Sequence, residues 1–253
     1  MRLLLVLLLS IGPLTAFQIP SGTKQVVVGV TDSWNASHVA VAVYERSGSG
    51  WTGGGKWKQV TAPVKGRVGK KGLAWGRGIH PVPEGAYTKR EGDWKAPAGV
   101  FRIGDAWGYA DTIQKQKGLR YTKVTTRNLW VEDPTSPYYN LHVALDREPS
   151  AAWEKKAQMK QNDYPHSLKL FIAHNAPLPP VAGQLPKPVP GAGSSIFFHI
   201  WRNGGKSPSA GCTTLPEASL RQIIARIDPG KKPLYILLPR PEYERLRDSW
   251  KLP

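Results

Sequence analysis

A single cysteine, Cys212, in 253 residues constrains this chain more than any other feature. One thiol cannot close an internal disulfide, so the fold must be held by packing alone, which a chain of this length can supply. The thiol itself is either a small buried hydrophobe or a reactive group, and its surroundings decide between the two. Residues 195–201 are apolar, β-branched and aromatic, the make-up of a strand. Alternation along that strand puts Ile196, Phe198 and Ile200 on one face and Phe197, His199 and Trp201 on the other. Residues 202–209 read as a loop of small and polar residues. Thr214 and Glu217 stand at capping-box spacing with Pro216 in the first turn, and Leu220, Ile223, Ile224 and Ile227 then share one helical face.

The expectation from this pattern is a tight turn carrying Cys212 directly ahead of a helix N-terminus, where unpaired N–H groups favour a thiolate. A histidine expected within reach across a hairpin bend, His199, is the candidate base. Gly211 lets a substrate carbonyl approach, and the N–H groups around Gly211 and Cys212 are candidate oxyanion donors. A cysteine preceded by glycine, with a histidine upstream, reads as a nucleophile rather than as a core residue.

These residues resemble the L,D-transpeptidase catalytic domain, the YkuD-like family of peptidoglycan cross-linking enzymes. His199 matches the family's strand histidine, and Ser209-Ala-Gly-Cys212 matches its Ser/Thr-x-Gly-Cys turn. Upstream, the Glu91-Gly-Asp-Trp-Lys-Ala-Pro-Ala-Gly-Val-Phe101 stretch is similar to the family's Glu-Gly-Asp-x-Lys-x-Pro-x-Gly-x-Phe segment. The resemblance implies a mainly β, sandwich-like fold with one helix after the cysteine and a C-terminal helix. It also implies that the Ile200 carbonyl orients the imidazole, and that Ser209, Thr213 and Thr214 border the substrate. The best-known branch has an arginine two residues after the cysteine. Thr214 stands there in this chain, in a form similar to a sister branch, with Arg202 and Arg147 as candidate replacements. Asp133, Tyr138, Tyr139 and Trp153 are the groove-wall residues the resemblance suggests.

The implied substrate is a peptidoglycan stem peptide, attacked by Cys212 to form a thioester. The acceptor is an amine in a transpeptidase or water in an L,D-carboxypeptidase, and a non-catalytic wall-binding protein on the same scaffold is the reading from another class. No cofactor is implied. Metal binding is not expected either, because the six histidines lack His-x-x-x-His or His-Glu-x-x-His spacing.

Residues 1–16 have the make-up of a secretory signal, with Arg2, a leucine-rich run and Ala16 at the cleavage position; an uncleaved anchor is the alternative. Residues 21–253 are expected to form one catalytic domain in the periplasm or cell envelope of a bacterium, with no stable membrane span after cleavage. The formal charge of +17 suits an anionic partner at the cell surface, or simply a solvated lysine-rich exterior. Export and the lack of a nucleic-acid-binding motif argue against nucleic acid.

Elsewhere, residues 25–31, 39–44, 57–62, 122–126, 129–131, 168–175 and 233–238 read as strands. Residues 153–163 and 241–250 read as helices. Residues 47–55 read as a turn-rich segment, residues 63–87 as a loop with a basic, mobile stretch at residues 66–72, and residues 177–193 as a proline-rich loop able to line the site. His80 reads as a loop residue. His174, at a strand end, is a second candidate base, although a structural role suits that position better.

Overall fold

The structure, a computed structural model, describes residues 17–47 and 55–253. The expected signal and most of the turn-rich segment at 47–55 lie outside the described residues.

A run of valines starts the fold. Gln25–Thr31 (β1) pairs antiparallel with His38–Glu45 (β2), Val27 opposite Val43. On its other edge β1 pairs parallel with a strand far along the chain, and its side chains are buried on both faces, so it reads as continuous apolar residues instead of an alternation. Lys58–Gln59 (β3) and Val64–Arg67 (β4) pair antiparallel with β2. Leu73–Trp75 (β5) runs parallel to the start of the longest strand, Ala96–Gly108 (β6), and Tyr121–Lys123 (β7) runs parallel to its end. Asn128–Trp130 (β8) and His142–Ala144 (β9) form a separate two-stranded sheet. Leu168–Ile172 (β10), Phe197–Ile200 (β11), Thr213–Leu215 (β12) and Leu234–Pro239 (β13) complete the set.

The main sheet runs β1-β13-β6-β10-β11-β12-β4-β2, and the β1–β2 pairing brings it back to its start. The mainly β, sandwich-like expectation thus takes the form of one sheet closed on itself, an arrangement that removes exposed edges along the ring. Its thinnest seam is β12 against β4, where Thr214 opposite Arg67 is the paired position. The core cluster draws on nearly every strand, with Val27, Val41, Phe101, Leu170, Phe198, Ile200 and Tyr235 all buried.

Among the described residues there are three α-helices: the short Ala152–Lys156 (α1), Glu217–Arg226 (α2), which contacts β11, and Arg240–Trp250 (α3), which contacts β13 and β1. The apolar face of α2 is buried as its spacing requires, through Leu220, Ile223 and Ile224, with Ile227 just beyond its end. Each such side chain contributes about 1.5–3 kcal/mol on leaving water. On α3, Leu246 and Trp250 do the same.

Four expectations are corrected. Residues 63–87 are not one loop, because β4 and β5 lie inside that range and Gly66, Arg67 and Val68 are buried. Gly66 is small for a packing reason: a Cβ there would come within 2.6 Å of the Leu215 side chain and 2.7 Å of the Thr214 carbonyl. The helix does not follow Cys212 directly. Thr214 lies in β12, and α2 begins only at Glu217 with Pro216 at its N-cap and no side-chain cap. The helix expected over 153–163 shrinks to α1. The approach to Cys212 is also not a hairpin: β11 and β12 are parallel, and residues 201–212 carry the chain back between them.

Candidate active site

Neighbouring strands set up one row of side chains. Lys169 on β10 is level with His199 on β11, which is level with Thr214 on β12. All three line one pocket of about 480 Å³, together with Cys212, Ser209 and Gly211. Alternation does the sorting on β11: Phe198 and Ile200 enter the main core, while Phe197 and His199 face the pocket side.

Cys212 sits on a turn held by Ser209. The Ser209 hydroxyl donates to the Cys212 carbonyl at 2.5 Å and accepts from the Gly211 N–H at 3.0 Å. Ser209 is therefore a turn former as well as a pocket residue. The same bond takes up the Gly211 N–H, which corrects the expectation that this group serves an oxyanion. Gly211 has a steric reason to be glycine, since a Cβ would meet the Lys95 carbonyl oxygen at 3.0 Å. Cys212 is half-buried as a residue, and its thiol donates to the Ser195 carbonyl at 3.3 Å. Burial pushes its pKa up to about 11. The Phe197 N–H draws it down, Glu132 raises it, and Lys169 and Lys89 draw it down. With α2 starting five residues later, the helix dipole is too distant to help, as the effect falls off within a turn.

His199 is 5% exposed. Its Nδ1 lies 2.8 Å from the Ile200 carbonyl, which can only accept, so Nδ1 carries the proton and Nε2 keeps a lone pair. Burial, then the neighbouring His166, holds the imidazole pKa down at about 3, so it is neutral at ordinary pH. The His166 ring lies against it with centroids 4.8 Å apart. His166 Nδ1 is 2.8 Å from the Asp163 carboxylate, which also accepts from Arg202 at 2.8 Å. A neutral imidazole with a free Nε2 can take the proton of a thiol lining the same pocket once that thiol turns away from the Ser195 carbonyl, and the low thiolate population at rest makes the transfer part of the barrier.

The remaining sequence candidates scatter. Arg202 lines the pocket, but its guanidinium is committed to Asp163. Arg147 is bound to Glu154 through two hydrogen bonds and does not line the pocket, so it is no replacement for a missing arginine there. Thr213 is corrected outright: its side chain points into the core, where its hydroxyl and that of Tyr235 lie 2.8 Å apart. Thr214 does line the pocket, 2% exposed, with its hydroxyl oxygen unpartnered. Tyr138 and Trp153 are exposed beside a neighbouring groove of about 810 Å³, which also has Asp133 and shares Glu91, Gly92 and Glu132 with the cysteine pocket. Tyr139 is buried and donates to Glu91 at 2.5 Å.

Glu91 and Asp93 do not form an acid pair. Asp93 accepts from the N–H groups of Arg90 and Lys95 and from the Lys89 ammonium, which holds the turn, while Glu91 also accepts from Ser194. Both nitrogens of His174 are committed, Nδ1 accepting from the Arg77 N–H and Nε2 donating to the Ala192 carbonyl. His80 is buried against Gly99 and Trp75. The proline-rich loop 177–193 does not line the cysteine pocket; Leu178, Pro186 and Lys187 border a cavity beside Arg77 and Arg102. Sequence reasoning missed Lys169, His166 and Asp163. A lysine inside the otherwise apolar Leu168–Ile172 strand was the visible signal for the first.

A comparison with protein families matches residues 59–236, more than half of the chain, to the YkuD family, described as the L,D-transpeptidase catalytic domain. The chain belongs to that family. Membership carries an L,D-transpeptidase-family, peptidoglycan-related activity. No curated protein and no solved structure matched the chain. Among the described residues, no helix is long and apolar enough to cross a membrane.

Proposed function

We propose that this protein is an exported peptidoglycan L,D-transpeptidase with Cys212 as its nucleophile and His199 as its base. The observation that carries the reading is the imidazole tautomer. Nδ1 is fixed by the Ile200 carbonyl, and Nε2 is left for the pocket that also holds the thiol. His199 Nε2 removes the thiol proton, and the sulfur attacks a stem-tetrapeptide carbonyl. The C–N bond to the terminal D-residue breaks, and the leaving amine takes the proton back from the imidazole. An incoming amine then attacks the thioester carbonyl, the C–S bond breaks, and the amine's proton passes through His199 to the departing sulfur, which leaves an amide cross-link and the free thiol. Export rests on the leucine-rich start of the chain and on its positive charge, which suits an anionic wall.

Incubating the protein with defined tetrapeptide muropeptides and weighing the products tests the proposal. A cross-linked dimer that disappears with Cys212→Ser supports it. Loss of one D-alanine without a dimer would turn the assignment to an L,D-carboxypeptidase. Retained sacculus binding with no product would leave a wall-binding protein.

A further inference from the structure

The cysteine pocket contains three cations, and two are already committed. Lys89 is paired with Asp93 at 2.5 Å, and Arg202 with Asp163 at 2.8 Å. Lys169 is different. It is 4% exposed, and among the described residues its ammonium has one protein acceptor, the Met159 carbonyl at 3.0 Å, and no carboxylate partner. An ammonium offers three donors, and beyond the Met159 carbonyl the Lys169 Nζ lies over the Phe197 ring, 5.7 Å from its centroid, a contact that leaves N–H groups of a buried charge without an oxygen acceptor among the described residues. Lys169 is level with His199 on the neighbouring strand and lines the same pocket as Cys212.

We propose that Lys169 is a positioning residue that supplies the positive charge against which the Cys212 thiolate forms. This rests on Cys212 being the reacting thiol. His199 is neutral and low in basicity, so it can carry a proton in transit but makes a poor standing counter-ion. Lys169 and Cys212 favour each other's charged forms, while burial drags the lysine pKa down to about 8. A buried cation with no carboxylate in contact is costly, with Asp163 and Glu132 acting on it only from a distance, and a thiolate in the same pocket offsets that cost in the same step that activates the sulfur. The other ionisable groups facing the pair are Glu132 after β8, Asp163 and His166 ahead of β10, Arg202 after β11, and Lys89 and Glu91 ahead of β6. Of these, Glu132 opposes thiolate formation and favours the charged lysine.

The test uses the thiol itself and needs no cell-wall substrate, so it fails separately from the proposed function. The rate of Cys212 alkylation by iodoacetamide is followed from about pH 6 to about pH 10, below the thiol's own titration, where it tracks the small thiolate fraction. Lys169→Met is expected to slow the reaction roughly tenfold at about pH 7, where the lysine is charged, with the gap closing at higher pH as the lysine loses its proton. Lys169→Arg is expected to restore the rate. An unslowed reaction in Lys169→Met at about pH 7 would overturn the proposal, as would equal slowing at every pH in both variants, which marks lost access. Should Lys169→Met fail to fold, reciprocity supplies a second reading. In Cys212→Asp, which puts a carboxylate at the thiol's position, the Lys169 titration, followed by NMR at its side-chain nitrogen, should rise relative to the intact protein. An unchanged titration would rule the coupling out.

Discussion

His174 and His199 sit on neighbouring strands of the same sheet, one just past the end of β10 and the other inside β11. Both are almost fully buried, and in both burial holds the imidazole pKa at about 3. Each has a backbone carbonyl fixing one ring nitrogen. They differ at the second nitrogen. In His174 it accepts from the Arg77 N–H and the ring is closed off, while in His199 Nε2 has no hydrogen bond among the described residues and the ring faces a cavity that the thiol also lines. Burial and a shifted pKa therefore do not mark a functional histidine. An unspent nitrogen facing a reachable partner does.

Paired substitutions break or sharpen this contrast. The largest effect belongs to the pocket: His199→Ala should cut dimer formation by about 10²–10⁴-fold with the fold intact, read from muropeptide turnover beside a thermal melt. A variant that melted early and kept its specific activity would reverse the assignment. His174→Ala should do the opposite, costing about 2–4 kcal/mol through two lost hydrogen bonds and a hole, with turnover per folded molecule unchanged. Chemical denaturation measures it.

Acid comes next. The two rings, with His80 at about 4, hold fewer protons folded than unfolded between their low pKa values and the free value of 6.5. Their contribution is present above about pH 6.5 and is lost as pH falls, by about 1.4 kcal/mol per pH unit for each ring. A melting series from pH 7 down to pH 4.5 should show the decline, and His174→Gln should make it shallower. A flat series would mean that these rings are hydrated in solution. The smallest effect is Thr213→Val, which removes the buried bond to Tyr235 for about 1 kcal/mol and leaves the reaction alone. A drop in turnover without a drop in stability would return Thr213 to the site.

Local pattern carried much of this protein. The strand at Phe197–Ile200 and its face alternation, the apolar stripe on α2, and the terminal helix follow from side-chain period, which needs only neighbours in sequence. The resemblance around Cys212 and the Glu91–Phe101 segment led to the family that the matched residues now show. Period failed where a residue's reason lies across the sheet. Gly66 reads as loop until Thr214 and Leu215 are placed against it, and the capping-box spacing at Thr214 gave way to a strand.

From the sequence alone come a mainly β chain, a lone thiol on a small-residue turn, and a histidine on the exposed parity of its strand, because each is a property of a few consecutive residues. Tertiary structure alone decided that the sheet closes on itself, that Thr213 faces inward, that His174 is spent, and that Lys169 stands level with His199. Those facts depend on which distant strands become neighbours. Charge and hydrogen bonding act over a few ångströms of space, whatever the distance along the chain.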